Sequence, residues 1–399
     1  MEKRKTITQP IELKSPYKGV SIFRSEKIIF ARFNNPHIVI STCRVNGGIK
    51  EDLKVAANHQ SCEPKPCFKS EHKRCLAVRE PQKYHSLVCN YHGLDPETTC
   101  LMGTAANMNC AGMSKKSFKD LIVFSIVTAG VETNAGRAGD PASVYETEEG
   151  FEHLKDKKAE SNPNSGTINT LLLINKPLTP AALVRSVKMA TEAKTSVLQE
   201  LNVGSRYSDG LATGTGTDQI CICCKKTNEK PLTGAGKHVK LGELIALAVR
   251  EALKEALDLQ NRLTPTNVRY LPRLTARFGL DEDTIIRELK DRLPEDIFSC
   301  LKRNKWTFFE DPILLAHVLS FIHLRDQIKW NIIPQNSSKE TLLQQGALIS
   351  SAISGKAHRF SSYLSYLENN WEPKSGENKL LILALSIGFK EKWEVPWHN

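Results

Sequence analysis

The 399-residue chain has no tryptophan in its first 260 residues, no dense block of lysine and arginine, and no long apolar run. The longest apolar runs, Leu121–Val127 and Leu380–Leu385, fall far short of the roughly 18 residues that a membrane helix needs. The net charge is +11, but without a basic cluster it indicates a solvated basic surface. We therefore expect neither a membrane-spanning protein nor a nucleic-acid partner.

The N-terminal stretch from Met1 to Lys14 is charged and polar, and it lacks the apolar core of a secretory signal. We therefore expect a cytoplasmic protein whose 11 cysteines are reduced thiols rather than a disulfide framework. Between residues 62 and 110, cysteines and histidines are interleaved without the paired cysteine spacing that is typical of a zinc site. We predict no metal site, and zinc binding by this stretch stays the alternative.

The distribution of tryptophan divides the chain, because all five tryptophans lie in its last third. The first part mixes short β-rich runs with helices and glycine-rich turns, whereas the second part has one helical pattern after another. A helical run ends near Leu263-Thr264-Pro265, where proline disfavours its continuation. We predict an N-terminal segment (1–18), an α/β or α+β domain with a mixed sheet and packed helices (19–262), and an all-α C-terminal region (263–399).

Local patterns predict the elements of both parts. Runs of β-branched and aromatic residues favour strands, and Asn34-Asn35-Pro36 between two of them is typical of a hairpin. Thr179-Pro180 begins a helix with a hydroxyl N-cap and a first-turn proline. The predicted strands are 27–33, 37–42, 121–128, 168–174 and 219–224, and the predicted helices begin at 179 and 236 in the first part and cover 282–293, 312–332, 340–353 and 378–387 in the second.

Three segments depart from what packing alone would select, and the first is Thr128–Pro141. It directly follows an apolar strand, and α/β proteins commonly place functional groups in loops at strand ends. Glu132, Arg137 and Asp140 supply an acid, a fork of hydrogen-bond donors and a second acid. The alternative is a turn in which Arg137 only pairs with Asp140, and the residues alone leave both readings open.

The second segment is Ser208–Asp218, which leads into a predicted strand. Its alternating threonines and glycines present hydroxyls beside backbone N–H groups that no side chain shields. Such a loop can hold an anion or an oxyanion, and its hydroxyls can be nucleophiles if a base is near. It is not a P-loop, because the Gly-Lys-Ser/Thr ending is missing. A simple glycine-rich turn is the alternative.

The third segment is Ala235–Glu243, at the start of a predicted helix. The free N–H groups and the positive end of the helix dipole favour a bound carboxylate or phosphate there. We expect His238, in the first turn, to act as a general base, against the alternative of an ordinary helix start. On the preceding helix, Glu192 and Lys194 are candidates for substrate contact, although a solvent-facing ion pair of Lys194 with the flanking Glu192 or Glu200 is the default interpretation.

Taken together, these segments resemble the adenosylcobinamide amidohydrolases of corrinoid salvage. The resemblance covers roughly Gly19 to Leu257 and consists of eight blocks in one order, which makes it far more specific than any single motif. The blocks are Asn46–Gly48, Asn58–Gln60, Met102–Met108, Thr128–Pro141, Gly166–Asn169, Thr191–Lys194, Ala212–Asp218 and Ala235–Glu243.

The resemblance implies hydrolysis of the amide that joins aminopropanol to the propionate arm of the corrin ring, giving adenosylcobyric acid and 1-amino-2-propanol. It implies a corrinoid small-molecule substrate whose cobalt arrives with it, so no separate cofactor is required. No catalytic roles are carried over. A corrinoid-binding or sensing protein without catalysis is the alternative. Residues 263–399 have no counterpart in the resemblance; they are expected to be dispensable for chemistry, and homo-oligomer formation stays open.

From the residues themselves, we predict an attacking oxygen, oxyanion donors and an acid for the departing nitrogen. For attack by the hydroxyl of Thr215 or Thr217, the predicted base is His238 or, failing it, Glu132. The alternative is attack by a water, with Glu132 or Asp218 as the base. The candidate catalytic residues are Thr215, Thr217, Asp218, His238 and Glu132. The candidate substrate-binding residues are Asn46, His59, Asn134, Arg137, Asp140, Thr167, Asn169, Glu192, Lys194, Gly214, Gly216 and Lys237.

Overall fold

The computed structural model describes residues 9–61, 76–148, 150–154 and 166–392. The chain divides into two compact units, Met1–Thr264 and Pro265–Asn399. The first unit combines mixed sheets with helices, and the second is helical. The predicted fold class, an α/β or α+β domain followed by an all-α region, is therefore confirmed.

The strands of the N-terminal unit form two main sheets, in the orders β1-β2-β3-β6-β7 and β5-β4-β15-β13-β9-β8. The strands are β1 (Ile11–Tyr17), β2 (Val20–Ser25), β3 (Ile28–Phe33), β4 (His37–Ser41), β5 (Gly48–Lys50), β6 (Val55–Gln60), β7 (Thr99–Thr104), β8 (Gly112–Phe118), β9 (Leu121–Thr128), β10 (Ala135–Gly136), β11 (Val144–Thr147), β12 (Gly150–His153), β13 (Asn169–Ile174), β14 (Gly214–Thr215) and β15 (Gln219–Lys225). The helices are α1 (Leu76–Arg79), α2 (Pro81–Tyr91), α3 (Pro180–Glu200) and α4 (Lys240–Asn261). Both sheets are mixed, because β6 runs parallel to β7 and β13 runs parallel to β15, while the other pairs are antiparallel.

The two sheets pack face to face between helices. Alternation along the central strands explains this, because successive side chains of a strand point to opposite faces. Leu171 and Leu173 of β13 lie in the core between the sheets, whereas Leu172 and Ile174 pack against α3 and α4. Helix α2 covers the outer face of the five-stranded sheet, and the order of layers is therefore helix, sheet, sheet, helices.

The hairpin predicted at Asn34-Asn35-Pro36 is wrong. Strand β3 pairs with β2 and β6, and strand β4 pairs with β15 and β5, so the turn carries the chain from one sheet to the other. The two strands therefore reach the core between the sheets from opposite sides, with Ala31 and Phe33 from one sheet and Val39 from the other.

The C-terminal unit has its own buried side chains, with Phe309, Phe321, Tyr363 and Leu380 among the most buried. Its helices are α5 (Pro265–Val268), α6 (Leu271–Thr275), α7 (Glu282–Lys290), α8 (Glu295–Arg303), α9 (Lys305–Phe309), α10 (Pro312–Lys329), α11 (Gln335–Ser354), α12 (Phe360–Asn370) and α13 (Glu377–Lys392). Across the described residues, no helix combines the length and the apolar character needed to cross a membrane.

His37, at the start of β4, is fully buried beside the turn between the sheets. Its Nδ1 lies 2.8 Å from the Asn35 carbonyl oxygen, its Nε2 lies 3.3 Å from the Tyr17 hydroxyl, and its ring stacks on Phe33. Burial, aided by the charge of Lys225 and opposed by the hydrogen bond to Asn35, lowers the pKa of His37 to about 4. The ring is therefore neutral at pH 7.

Substitution of His37 is expected to reduce the loss of stability on acidification. Between about pH 6.5 and pH 4 the unfolded histidine binds a proton that the native one does not, so stability falls as the pH falls, by about 2 kcal/mol between pH 7 and pH 5. His37→Gln should show a loss smaller by about this amount. The measurement is the free energy of opening of β4 peptides by hydrogen exchange, corrected for the chemical exchange rate. The exposed His358→Gln is the control, and equal losses in all three proteins would contradict the prediction.

Candidate functional site

Two of the three predicted segments lie side by side. Strand β10, from the first segment, pairs with β14, from the second, so that Ala135 lies opposite Thr215 and Gly136 opposite Gly214. The contact is close, because a Cβ on Gly210 would lie 2.6 Å from Cδ of Arg137. We call this pair of segments, Thr128–Pro141 and Ser208–Asp218, the paired loops.

Asp218, at the end of the second segment, binds donors from several elements. Its Oδ1 accepts the backbone N–H of Ile168 at 2.9 Å and the hydroxyl of Thr215 at 2.6 Å. Its Oδ2 accepts the backbone N–H of Thr215 at 3.0 Å and the ammonium of Lys194. The Lys194 and Asp218 side chains are only 14% and 16% exposed. Asp218 therefore links a strand, a loop and a helix. It also orients the Thr215 hydroxyl, which donates its hydrogen bond to the carboxylate.

The default reading of Glu192 and Lys194 as an ion pair is wrong. Residues two apart on a helix point to different sides. Lys194 therefore reaches Asp218, whereas Glu192 forms an ion pair with Lys237 at 2.9 Å, whose hydrogen bond lowers the pKa of Glu192. Glycine is needed at position 214, because a Cβ there would lie 2.5 Å from Oδ2 of Asp218 and 2.8 Å from Nζ of Lys194.

Thr217 belongs to a second group of hydrogen bonds beside the first. Its hydroxyl donates to the Gly166 carbonyl at 3.1 Å and lies 2.6 Å from the Thr167 hydroxyl. The Asn134 side chain donates to the same carbonyl at 3.0 Å. In turn, Asn134 accepts a hydrogen bond of 2.7 Å from the Tyr207 hydroxyl. Among the described residues, the partners of the Thr217 hydroxyl are thus a carbonyl, a hydroxyl and an amide, and none of them is a carboxylate.

Asp140 orders the far end of the paired loops. Its Oδ2 accepts the backbone N–H of Arg137 at 2.7 Å and the hydroxyl of Ser205 at 2.5 Å. Burial alone would raise the pKa of Asp140, but hydrogen bonds from Ser205, Ser208 and the Arg137 backbone lower it overall. Within the described ranges, no side-chain ion pair joins Arg137 to Asp140, and the Arg137 side chain lies against Gly210.

Asn169 lies where the two sheets meet. Its side-chain amide donates to Oδ1 of Asn58 at 2.9 Å and to the Gly103 carbonyl at 3.0 Å, and its oxygen accepts the backbone N–H of Gln219 at 3.2 Å. Asn58 donates to the Thr128 hydroxyl at 2.8 Å. These buried polar groups connect the ends of strands from both sheets directly behind the paired loops.

Asn46 and His59, two of the predicted binding residues, form their hydrogen bonds with residues outside the paired loops. The Asn46 amide donates to the carbonyls of Pro96 and Thr99, at 2.9 and 2.8 Å. His59 Nδ1 lies 2.7 Å from the Tyr84 hydroxyl on α2. Burial, with the charges of His92 and Lys27 nearby, lowers the pKa of His59 to about 3, so its ring is neutral at physiological pH. The role of both residues in substrate binding stays a prediction.

Glu132 and His238 are both exposed. The predicted position of His238 in the first helical turn is wrong, because α4 begins at Lys240 and His238 precedes its N-cap. Glu132 lies within the first of the paired loops. The third segment contacts α3 through the pair formed by Lys237 and Glu192, and within the described part of the chain no hydrogen bond joins His238 to the paired loops. A catalytic role for Glu132 and for His238 therefore stays a prediction.

Sequence reasoning missed the residues that hold these groups in place. Tyr207 and Ser205 belong to the Ser205-Arg206-Tyr207 stretch just before the Thr-Gly alternation, where an aromatic residue between polar ones was the available signal. Asn58 was part of a resembling block but was assigned no role. Its position on a buried strand, where a polar side chain must find partners, was the signal for it.

Potential metal ligands do not cluster in the described ranges, where no group of three or more histidine, cysteine, aspartate and glutamate side chains is placed to hold an ion. Cys62, Cys67 and Cys75, which belong to the alternative zinc prediction, lie outside the described residues. Cys89, Cys100 and Cys110 are free thiols.

Loss of the Asp218 carboxylate is expected to destabilise the N-terminal unit strongly. Asp218→Ala leaves the Lys194 ammonium and two backbone N–H groups without their acceptor in a largely buried place, at a cost of about 3 kcal/mol in the free energy of unfolding. The second substitution Lys194→Met should recover part of that loss, because it removes the unpaired charge. Urea unfolding of the single and double variants measures both effects.

The matched control is the half-exposed pair formed by Glu51 and Lys226, 2.7 Å apart. Glu51→Ala should cost less than about 1 kcal/mol, because solvent screens exposed ion pairs. An Asp218→Ala variant as stable as Glu51→Ala would contradict the structural role given to Asp218.

A family model described as CbiZ, adenosylcobinamide amidohydrolase, matches residues 13–265. The matched range contains the paired loops, Asp218, Lys194 and the third segment, and it ends at the boundary between the two compact units.

Two individual proteins are similar to this chain. The uncharacterized protein MJ1613 of Methanocaldococcus jannaschii is 35% identical over 240 residues, which cover 59% of this chain and 88% of the relative. The crystal structure of the PH0078 protein from Pyrococcus horikoshii OT3 matches with 12% identity and a TM-score of 0.30, over 62% of this chain and 83% of that one. A likeness at that TM-score carries no argument about this protein.

Proposed function

Since the chain belongs to the adenosylcobinamide amidohydrolase family, we propose that it hydrolyses the amide between aminopropanol and the propionate arm of the corrin ring in adenosylcobinamide. The products are adenosylcobyric acid and 1-amino-2-propanol, and the cobalt enters as part of the substrate. The observation that carries this proposal is the family match across 13–265, which takes in every candidate catalytic residue. As an amidohydrolase, the protein needs a nucleophile for a poorly reactive carbonyl.

The geometry favours Thr215 as the attacking oxygen. Its hydroxyl already donates to Oδ1 of Asp218 at 2.6 Å, which is the spacing expected of a nucleophile and its base. As the oxygen bonds to the amide carbon, its proton moves along this hydrogen bond to Asp218. The carbonyl oxygen gains negative charge in the same step, and the site must stabilise it.

Lys194 supplies positive charge beside Thr215 for that oxyanion, because its ammonium binds the other oxygen of Asp218. The backbone N–H groups of Gly214 and Gly216 stay the candidate oxyanion donors. Collapse of the tetrahedral intermediate returns the proton from Asp218 to the departing nitrogen, which leaves as the amine. Water then cleaves the Thr215 ester, with Asp218 as base, and regenerates the hydroxyl.

Thr217 is less suited to this role, because its hydroxyl has a carbonyl and a second hydroxyl as partners rather than a carboxylate. Attack by a water activated by Asp218 or Glu132 is the competing mechanism. The two mechanisms differ in one intermediate, since only the first forms an ester on the protein.

The test of the proposed reaction is incubation of the purified protein with adenosylcobinamide, followed by mass spectrometry of the corrinoid and of the amine. We expect adenosylcobyric acid and 1-amino-2-propanol in equal amounts. Saturable corrinoid binding without either product would contradict the enzyme and favour the non-catalytic corrinoid-binding protein.

Substitution of Thr215 is expected to abolish most of the activity. Thr215→Val removes the attacking oxygen at nearly constant volume and should lower kcat by about a thousandfold or more. Thr217→Val should have a much smaller effect. Steady-state kinetics on adenosylcobinamide give both values, with Thr227→Val, in the exposed turn after β15, as the control. Near-normal turnover by both the Thr215 and Thr217 variants would rule out a hydroxyl nucleophile and favour activated water.

The helical C-terminal unit is expected to be dispensable for the chemistry. Every residue given a role above precedes it, and its own buried side chains form a core within residues 265–392. A chain ending at Thr264 should therefore keep kcat within about tenfold of the full chain. Complete loss of activity in a truncated protein with intact circular dichroism would contradict this prediction and make the second unit part of the site.

A further inference from the structure

A cavity of about 120 Å³ lies within the C-terminal unit. Its apolar side is formed by buried side chains from four helices, with the rings of Phe308 and Phe389 packed edge to face 5.0 Å apart. The lining residues are Asn304, Thr307, Phe308, Asp311, Leu314, Ala352, Ile353, Phe389 and Lys392.

The polar lining residues differ in burial, since Asp311 is partly buried whereas Asn304 and Thr307 are exposed to solvent. Asp311 is the N-cap of α10, and its Oδ1 accepts the backbone N–H groups of Ile313 and Leu314 at 2.9 and 2.8 Å. Its Oδ2 has no partner among the described residues. The amide nitrogen of Asn304 donates to Cys300.

The Asp311 carboxylate selects a ligand that brings a hydrogen-bond donor and positive charge. Its free oxygen matches a primary ammonium group, whose other donors can bind water at the exposed side of the cavity. Lys392 also lines the cavity, but it has interactions of its own, and within the described residues no ion pair joins it to Asp311. The negative charge of Asp311 is therefore open to a ligand.

The size of the cavity limits the rest of the ligand. An apolar cavity of about 150 Å³ holds benzene, with six carbon atoms, so 120 Å³ fits about five non-hydrogen atoms. The phenylalanine rings, Leu314 and Ile353 favour a short aliphatic body on the side away from Asp311.

We infer that this cavity binds a small organic ammonium ion, with its charged group at Asp311 and its carbon atoms against Phe308 and Phe389. The inference stands on the cavity and the free oxygen of Asp311 and does not depend on the reaction. The link to that reaction is that its amine product, 1-amino-2-propanol, has five non-hydrogen atoms and belongs to this class; this link alone rests on the proposed function.

The test is calorimetric titration of the full chain with 1-amino-2-propanol, compared with 1,2-propanediol. The two molecules have the same number of non-hydrogen atoms, but the diol lacks the charge. We expect saturable binding of one amine per chain, with a dissociation constant near 1 mM or below, and at least about tenfold weaker binding of the diol. No saturable binding of the amine, or equal binding of the two, would overturn the inference.

Two variants locate the binding. Asp311→Asn removes the charge but keeps the helix cap, because asparagine caps as well as aspartate does, and it should weaken amine binding at least about tenfold. Ala352→Leu fills the cavity and should abolish binding. The matched control is Asp281→Asn, which alters the N-cap of α7 outside the cavity and should bind the amine as the unsubstituted chain does.

Binding that survives both Asp311→Asn and Ala352→Leu would place the amine elsewhere and overturn the inference. Thermal unfolding of each variant confirms that its fold is intact. Since the titration needs no turnover, a chain that binds the amine but cleaves no adenosylcobinamide refutes only the proposed function, and a chain that cleaves but binds no amine refutes only this inference.

Discussion

The Asp218 carboxylate is the acceptor on which the arrangement of the paired loops depends. Its donors come from Ile168 beside β13, from Thr215 in the second loop and from Lys194 on α3. Since one side chain binds all three, none of these elements can shift without losing a hydrogen bond in a place that water reaches poorly. The glycine at position 214 is a consequence, because any side chain there would push the carboxylate and the ammonium apart.

A second constraint lies behind the first, where the two sheets meet. Apolar packing between sheets is not directional and would tolerate a slide of one sheet over the other. The hydrogen bonds of Asn169 to Asn58 and Gly103 fix that slide, because each has one satisfactory geometry in a buried place. The strand ends that carry the paired loops are therefore held in register before any substrate is bound.

The sequence predicted secondary structure best where a local pattern, such as an apolar run or a helix N-cap, was sufficient to determine it. The apolar run at 121–128 became β9, and the Thr179-Pro180 signal marks the start of α3. Strands such as β8, with its lysines and serines, gave no apolar signal, since they are edge strands whose pairing decides their conformation. The partner of Lys194 was equally unpredictable, because Asp218 is 24 residues away and only the packing of α3 brings the two together.

The position of Lys194 also connects the stability of the loops to the proposed chemistry. In the resting protein its charge is balanced by Asp218. When the Thr215 proton moves to Asp218, the carboxylate becomes neutral, and the ammonium loses its partner at the moment when the substrate oxygen gains negative charge. The lysine can then stabilise the oxyanion, because its ammonium already lies in the site and need not be desolvated during the reaction. Such preorganisation makes charged groups effective in a site of low dielectric. In the proposed mechanism, the ion pair that fixes the loops before reaction thus supplies its positive charge when the transition state requires it.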